Sequence, residues 1–347
     1  MLTVFFLLLF SLLALAYLTW GVRVLPRERW QILASVPLKR QDNGEWSGVN
    51  LTFYGLLTAN AYAIALATLV VLLRSLHLSL AALLLLAFLL LALCVPASRA
   101  VARWVEGKAH TFTVGGAVFV GILAAPWLVG LVNLLLWQPA LPLRPTLAAL
   151  AIAYAFGEGF GRLACISFGC CYGKPLSACS PRLQRLFHRF HLVFEGQTKK
   201  IAYADGLHGC KVVPVQALTA FLYVGTGLIA TALFLLQHYG TAFLLPALVT
   251  QGWRIASELL RADYRGEQRF SAYQWMGLFS LFYVSAVALW APAAVVGVPD
   301  LAAGLTALWR PEILLSLALL WWTLFLYTGC SSVTGVALRF HVRQERI

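Results

Sequence analysis

Long apolar stretches separated by short polar ones run through almost the whole chain. The first half holds five of them, at Met1–Val22 and at about 48–73, 79–97, 114–137 and 146–164. A polar segment extends to about residue 213, and four more stretches follow at about 214–237, 240–260, 273–298 and 312–337. A helix of about 20 apolar residues crosses the hydrocarbon core of a bilayer. The pattern therefore predicts an all-α polytopic membrane protein with about nine transmembrane helices.

The first apolar stretch also resembles a signal peptide, because Ala14, Leu15 and Ala16 form a short motif of the kind that signal peptidase cleaves. However, no basic residue precedes the stretch, and it is long for a signal-peptide core. We therefore predict that it is retained as a transmembrane helix, which a polar loop over 23–47 follows.

Only one polar segment, 165–213, is long enough to form a small extramembrane subdomain. Within it, apolar and basic residues alternate at helical spacing over 180–196. This pattern fits an amphipathic basic helix that lies on the membrane surface. A small solvated helix packed on the rest of the segment explains it equally well.

Composition and charge agree with a membrane protein. The chain is 61% hydrophobic and 11% charged, whereas soluble domains carry about 25% charged residues. The net charge of +13 does not indicate a nucleic-acid partner, because the basic residues lie in short loops between apolar stretches. With nine spans, 21 of the 24 lysines and arginines in the loops and tail fall on one side. The positive-inside rule then places the N-terminus outside, and the tail and segment 165–213 in the cytoplasm.

The stretch from Ala155 to Pro175 carries the first candidate site. Glu158 and Arg162 are four residues apart, so they share one helix face, and charges at membrane depth are usually functional. The surrounding glycines allow the backbone to approach a ligand or another helix closely. The alternative is a structural ion pair at the end of a helix, followed by a glycine-rich turn.

A second candidate site ends the seventh apolar stretch. Arg254, Glu258 and Arg261 follow one another at spacings of four and three, which places them on one face of a helix. Two arginines around one carboxylate leave net positive charge, and a guanidinium matches phosphate oxygens with two parallel hydrogen bonds. We expect Arg162 and Arg254 to converge in one cavity that binds an anionic lipid headgroup. The alternative is a structural ion-pair ladder at the membrane edge.

Seven cysteines are present, and five of them lie between 165 and 210. Their spacing is not that of a usual zinc site, in which pairs of cysteines are separated by two residues, so we predict no metal. A disulfide within the segment is a second interpretation, if the segment faces an oxidising compartment. Small buried thiols packed against glycines are the remaining interpretation.

Several of these motifs resemble those of the prolipoprotein diacylglyceryl transferase family. The string GRLACISFGCCYG resembles the family signature at Gly161, Arg162, Gly169, Tyr172 and Gly173. LTFYGLL resembles the first family helix, with the tyrosine at Tyr54, and VVPVQALTAF keeps Pro214 and Gln216. HTFTVGGAVFVG keeps Gly115 and Gly116, and the arginines of the seventh stretch match a family helix as well. The resemblance covers about residues 50–295.

The resemblance implies a reaction and roles for these residues. Such enzymes move the diacylglyceryl group of phosphatidylglycerol to a cysteine thiol of a lipoprotein precursor in the bacterial plasma membrane, without a cofactor. Arg162 and Arg254 would hold the phosphate, Glu258 would orient the arginines, and Tyr54 would form a wall of the cavity and position a substrate. The remaining substrate-binding residues would be Arg261, Glu158, Gln216, Gly115, Gly116, Gly161 and Gly173.

The chain departs from the family at three positions. Cys165 replaces an asparagine, Cys170 a glutamate, and Val114 a histidine that is a candidate general base. His110 is an alternative base. These departures keep two other functions open. One is a related transferase with a different acceptor on the cytoplasmic leaflet. The charge pattern places the site on that side, whereas secreted lipoprotein precursors are on the opposite side. The other is a non-catalytic lipid-binding protein or transporter.

The resemblance also divides the chain into three parts. Residues 1–47 form an extra N-terminal transmembrane helix and a polar loop. Residues 48–298 form the transferase-like membrane domain, which includes the extramembrane subdomain 165–213. Residues 299–347 form an extra C-terminal transmembrane helix and a basic tail.

Overall fold

The computed structural model describes residues 1–107, 113–137, 141–263, 270–292 and 296–347. Most of these residues are helical. The helices, in chain order, are α1 (Leu2–Val24), α2 (Phe53–Ser75), α3 (Leu80–Glu106), α4 (Val114–Leu135), α5 (Leu143–Phe168), α6 (Pro181–Phe187), α7 (Lys200–Asp205), α8 (Val215–Leu235), α9 (Tyr239–Glu258), α10 (Ala272–Trp290), α11 (Leu301–Ala307) and α12 (Pro311–Gly329).

Eight of these helices are long and apolar enough to cross a membrane. The prediction of a helical, multi-pass membrane protein is therefore confirmed. The ninth predicted span, 240–260, is the 20-residue helix α9, but it is not one of the eight. Its C-terminal half carries Gln251, Arg254 and Glu258, which lower its mean hydropathy. The number of spans stays a prediction.

Five strands occur among the described residues: β1 (Ile32–Arg40), β2 (Trp46–Thr52), β3 (Leu192–Val193), β4 (Lys211–Val212) and β5 (Cys330–Leu338). The strands β1, β2 and β5 form an antiparallel sheet with β2 in the middle. The predicted polar loop over 23–47 is therefore largely a β-hairpin. The second and last spans are also shorter than predicted, because β2 precedes α2 and β5 follows α12. Thr52 fixes the first boundary, since its hydroxyl accepts a hydrogen bond from Gly55 N at 3.4 Å and caps α2.

Helix α5 lies at the centre of the bundle and packs against α2, α8 and α9. Small residues make this packing close. A Cβ added to Gly159 would lie 2.8 Å from the side chain of Val224, and a Cβ added to Gly157 would lie 3.1 Å from the Cβ of Ala65. Small residues at helix contacts are typical of membrane bundles, where close packing replaces the hydrophobic effect. Helix α1 packs on α5 and α8, and α12 packs on α2.

The segment between α5 and α8 forms a small unit outside the bundle. An amphipathic helix was predicted over 180–196, but only the seven-residue helix α6 forms there. Leu186 in α6 and Phe190, which follows it, are both exposed. Tyr172 is buried and donates a hydrogen bond to Asp205 in α7. Burial and this hydrogen bond raise the pKa of the Tyr172 phenol. The tyrosine of the signature string thus stabilises this unit.

The buried amine of Lys199 ties the unit to the helices. Its Nζ donates to Leu25 O at 3.1 Å, after α1, and to Ser167 O at 2.5 Å, in the last turn of α5. Gln31 adds a second tie, since its Nε2 donates to Thr198 O at 2.8 Å. The hairpin, the 169–214 segment and β5 therefore lie at the same end of the bundle.

Candidate functional site

A cleft opens where α5, α8, α9 and α10 meet, at the end of the bundle that carries the 169–214 segment. Its cavity volume is about 20 Å³, enough for one water-sized group. Its lining is polar and aromatic rather than aliphatic. The lining residues are Arg162, Cys171, Val215, Gln216, Thr219, Tyr223, Trp253, Arg254, Ser257, Glu258, Arg261 and Tyr273.

Two arginines meet one buried carboxylate in this cleft. Glu158 accepts a hydrogen bond from Arg162 one helical turn further along α5. The same oxygen, Oε1, lies 3.8 Å from Nη1 of Arg254, which α9 contributes. The side chain of Glu158 is only 3% exposed, so its charge depends on these two partners. Helices α5 and α9 thus bring Arg162 and Arg254 into one cavity.

Both arginines keep hydrogen-bonding capacity. Within the described part of the chain, Nε of Arg162 and Nη1 of Arg254 are buried and make no hydrogen bond. The distance between Arg254 and Glu158 is too long for a hydrogen bond and allows only an ion pair. A buried donor without an acceptor is costly. These two groups are therefore available to a ligand with acceptor oxygens.

Gly115 allows Arg254 to occupy its position. A Cβ at Gly115 would lie 2.5 Å from Nη2 of Arg254 and 2.7 Å from the ring of Tyr273. No side chain fits in this space, so the start of α4 touches the guanidinium directly. The resemblance assigned Gly115 to the substrate site, and the structure places it behind the arginine.

Arg261 differs from the other two arginines. Helix α9 ends at Glu258, and Arg261 lies beyond it in a backbone bridge with Gly173. Its Nε and Nη2 donate to the two carboxylate oxygens of Asp263, both at 2.7 Å. The net positive charge predicted for Arg254, Glu258 and Arg261 is wrong, because it left out Asp263. Among the described residues, Glu158, Glu258 and Asp263 balance the three arginines when all are ionised.

Gln216 links the cleft to the cysteine-rich turn. Its Nε2 donates to Cys170 O at 2.9 Å. Its Oε1 is buried and has no hydrogen-bond partner within the described ranges. The amide group therefore offers an acceptor on the same cleft in which the arginines offer donors.

Three thiols converge beside the cleft. The Sγ atoms of Cys165, Cys170 and Cys171 all lie within 4.8 Å of one another, and Cys171 lines the cleft. No cysteine in the described residues forms a disulfide. The spacing in the sequence did not predict this cluster.

Other predicted site residues are not among the described residues that line the cleft, although Tyr54 lies near Cys165, Cys170 and Cys171. Tyr54 packs its ring against Phe168 with centroids 5.6 Å apart, and it is not a wall of the cleft. Gly116 faces Val101 of α3, where an added Cβ would lie 2.4 Å from the valine side chain. Gly161 faces Ala61 of α2. Gly116 therefore serves helix packing, whereas Gly161 has room for a methyl group.

Gly173 acts indirectly. An added Cβ would lie 2.3 Å from Val213 O, so only glycine lets residues 172–174 run between Val213 and Arg261. Lys174 N donates to Leu260 O at 2.9 Å and fixes the chain after α9. Gly173 therefore positions Arg261. His110 lies outside the described residues.

The sequence analysis missed the aromatic and hydroxyl residues of the cleft. Trp253 donates from its indole nitrogen to Thr219 Oγ1 at 2.8 Å, and Tyr223 donates to Thr250 O at 2.7 Å. Tyr273 lies at the start of α10. Trp253 adjoins Arg254 in the sequence, but the other residues carry no signal that separates them from ordinary helix-packing residues.

No protein-family profile matches the chain, and no curated protein matches it either. The geometry of the site and the residues that line it therefore carry the functional argument.

Proposed function

We propose that this protein is a membrane-embedded transferase that binds an anionic phospholipid in the arginine cleft and transfers its diacylglyceryl group. The observation that carries the proposal is the pair Arg162 and Arg254 on one buried carboxylate, each with an N–H group that makes no hydrogen bond within the described chain. A phosphodiester offers the acceptor oxygens and the single negative charge that such donors bind. Eight helices are long and apolar enough to cross a bilayer, which would hold the acyl chains.

The donor that fits the resemblance is phosphatidylglycerol, and the acceptor is a cysteine thiol of a lipoprotein precursor. The thiolate sulfur attacks the glycerol carbon that bears the phosphate, a sulfur–carbon bond forms, and the carbon–oxygen bond breaks. Glycerol phosphate leaves with the electron pair. Arg162 and Arg254 stabilise the negative charge that grows on the leaving phosphate, which is the usual task of fixed cations at a transition state.

Glu158 and Glu258 position the arginines in this proposal. Glu158 binds Arg162 and lies near Arg254, so it limits their rotation. Glu258 accepts from Ser271 at 3.5 Å across the gap between α9 and α10. A preorganised site costs no reorganisation when the reaction takes place. We place the protein in the bacterial plasma membrane, where both substrates occur.

The test uses purified protein in mixed micelles with phosphatidylglycerol that carries a label in its headgroup. We expect release of labelled glycerol phosphate that depends on an acceptor thiol. Arg254→Lys keeps the charge but removes the paired donors of the guanidinium, so we expect at least about a tenfold loss of release. Full activity of this variant would contradict the proposed role.

The control is Arg339→Lys. Arg339 also pairs with a carboxylate, Glu45, at 3.0 Å, but its side chain is 75% exposed at the edge of the sheet. We expect wild-type release from this variant. Size-exclusion profiles of both variants check that each is folded.

A related transferase with a different acceptor is the second candidate. Cys165, Cys170 and Val114 favour it, because each replaces a residue of the family pattern in or beside the signature strings. Its signature is release of glycerol phosphate with a small thiol but not with a lipoprotein-precursor peptide. A protein that only binds lipid would retain labelled phosphatidylglycerol without release.

A further inference from the structure

We propose that Cys165, Cys170 and Cys171 bind one thiophilic divalent metal ion of the zinc class and leave its fourth position open toward the cleft. The ion would hold the acceptor thiol as a thiolate beside the arginines. The role of the bound thiolate rests on the proposed transferase function. The metal site itself rests on the three thiols.

The distances fit one ion. A Zn–S bond is about 2.3 Å, so two thiolates on a tetrahedral zinc are about 3.8 Å apart. The three Sγ atoms are within 4.8 Å of one another without an ion. Side-chain rotations that move each sulfur by less than about 1 Å bring the three Sγ atoms to the spacing of zinc ligands.

The backbone explains why adjacent cysteines converge. Helix α5 ends at Phe168 and is capped by Gly169, whose φ is +72°, and Cys170 N donates to Cys165 O at 3.0 Å across this turn. Cys171 has a φ of +56°, a conformation that residues other than glycine rarely adopt. Neighbouring side chains in an extended chain point in opposite directions. The left-handed conformation of Cys171 breaks this alternation, and such strain is found mostly at functional sites.

The surroundings favour an anionic metal complex. Three thiolates and one divalent cation carry a net charge of −1, and an acceptor thiolate adds another. Arg162 and Arg261 line the same cleft as Cys171 and bring guanidinium groups near this complex, although each already pairs with a carboxylate. Buried Gln216 holds the backbone of Cys170 and presents its Oε1, which has no partner in the described chain, to the cleft. The cluster thus has cationic groups nearby and a support that orients Cys170.

The open position answers a chemical need of the transfer reaction. Catalytic zinc sites have three protein ligands and one exchangeable position, and a thiol that binds there is deprotonated. The acceptor would lose its proton to solvent on binding, and its sulfur would then attack the glycerol carbon as described above. No separate general base is required, and no oxidation or reduction takes place. A metal-bound acceptor thiol would therefore explain why Val114 can replace the histidine that is a candidate general base in the family.

The first experiment measures metal binding without lipid. The full chain is purified in detergent under reducing conditions, its zinc content is measured, and zinc is exchanged for Co²⁺ to give a thiolate-to-cobalt charge-transfer band. We expect one ion per chain. Cys165→Ser, Cys170→Ser and Cys171→Ser should each reduce occupancy to less than about a tenth. The matched controls Cys179→Ser and Cys210→Ser lie outside the cluster and should keep it.

The second experiment tests the open position. N-acetylcysteine amide added to the cobalt form should shift the charge-transfer band, whereas N-acetylserine amide should not. Both readouts are independent of glycerol phosphate release. Metal binding without release would refute the transferase function and leave the metal site intact.

Three outcomes would overturn the metal site. They are no bound metal in reduced wild-type protein, metal that survives all three cluster substitutions, and a disulfide within the cluster that binds no metal after reduction. A variant that fails to fold does not decide the matter. In that case, removal and restoration of zinc in the wild-type chain by a chelator, followed through the cobalt band, gives the answer.

Discussion

At the scale of single residues, Gly115 and Gly161 differ in whether the structure requires glycine, and their sequence context does not show this difference. Both belong to strings that resemble the transferase family. A Cβ at Gly115 would overlap Arg254 and Tyr273, whereas a Cβ at Gly161 would lie 3.8 Å from Ala61, an ordinary contact. One glycine therefore sets the position of a catalytic candidate, and the other tolerates a methyl group.

We predict that Gly115→Ala displaces the Arg254 guanidinium and reduces lipid transfer by at least about tenfold, because small misplacements of a charged group reduce catalysis strongly. Gly161→Ala is the control and should keep full activity, with a stability equal to or above that of the wild type, since alanine favours a helix more than glycine does. The measurement is glycerol phosphate release, together with thermal unfolding of both variants. Equal losses in the two variants would contradict the role given to Gly115.

Lys199 provides a prediction on pH. Burial lowers the pKa of its amine from 10.5 to about 8, although Glu28 and Glu195 act in the opposite direction. The unfolded chain therefore binds more protons than the folded chain between about pH 8 and pH 10.5, and stability contributed by this group rises with pH across that window.

The test compares the wild type with Lys199→Met, which removes the titration. The difference in melting temperature, wild type minus variant, should increase from pH 7.5 to pH 10. The expected size is a few degrees, because a shift of this size is worth about 3 kcal/mol at most. A difference that is constant or falls with pH would contradict the lowered pKa.

Most charged residues of the site could be predicted from the sequence, but Asp263 could not. Glu158 with Arg162, and Arg254 with Glu258, follow from helical spacing, and both pairs lie at the cleft. Asp263 lies after the end of α9, where spacing rules no longer apply. The left-handed conformation of Cys171 has no signal in the sequence either. This conformation occurs in the turn where the three thiols converge.

At the scale of elements, α2 and α12 cross at two glycines. A Cβ on Gly55 would lie 2.2 Å from Gly329 Cα, whereas a Cβ on Gly329 would meet Gly55 Cα at 3.4 Å. Trp321 supports the same contact, since its indole donates to Asn60 Oδ1 at 2.8 Å. The glycine after Tyr54 thus serves the docking of the last long helix, which lies outside the family-like region.

We predict that Gly55→Ala separates α12 from α2 at a cost of about 1–3 kcal/mol, the usual range for overpacking. Gly329→Ala should cost less, because the contact that it creates is longer. Thermal unfolding in detergent measures the difference. Protease digestion of the C-terminal region is a second readout, and cleavage there should be faster in Gly55→Ala. Equal stability of the two variants would refute the asymmetry.

The strands show where an apolar pattern is insufficient. The segment 23–47 reads as a polar loop because Pro37, Lys39 and Arg40 interrupt any regular alternation. The structure forms β1 there because β2 provides a partner, and β5 from the far end of the chain completes the sheet. Pairing between residues almost 300 positions apart, such as Val49 with Gly335, is not visible in a local pattern. Only the long helices could be predicted from periodicity and length.

At the scale of the whole molecule, the connections that carry most of the positive charge lie together. The β1–β2 hairpin pairs with β5, and Gln31 and Lys199 tie the region after α1 to the 169–214 segment. Lys174 ties the same segment to the residues after α9. At the opposite end, Asp300 N donates to Ser75 O at 2.8 Å and brings α11 against α2. The described basic residues of these connections therefore lie at the end of the bundle that carries the cleft, and the full charge count of the two ends stays a prediction.

We predict that the end with the cleft and the sheet faces the cytoplasm, because the positive-inside rule places basic loops there. This orientation favours the second candidate function, a related transferase with a different acceptor. A membrane-impermeant maleimide added to intact spheroplasts should not label Cys330, which is exposed in β5, nor Cys179 or Cys210. Permeabilisation should make Cys330 reactive. A chain with Arg310→Cys, at the opposite end between α11 and α12, is the positive control and should be labelled without permeabilisation. Labelling of Cys330 in intact spheroplasts would reverse this orientation, because the sheet fixes β5 to the end that holds the cleft. The arginines would then face the compartment of secreted lipoprotein precursors, and those precursors would be the expected acceptor.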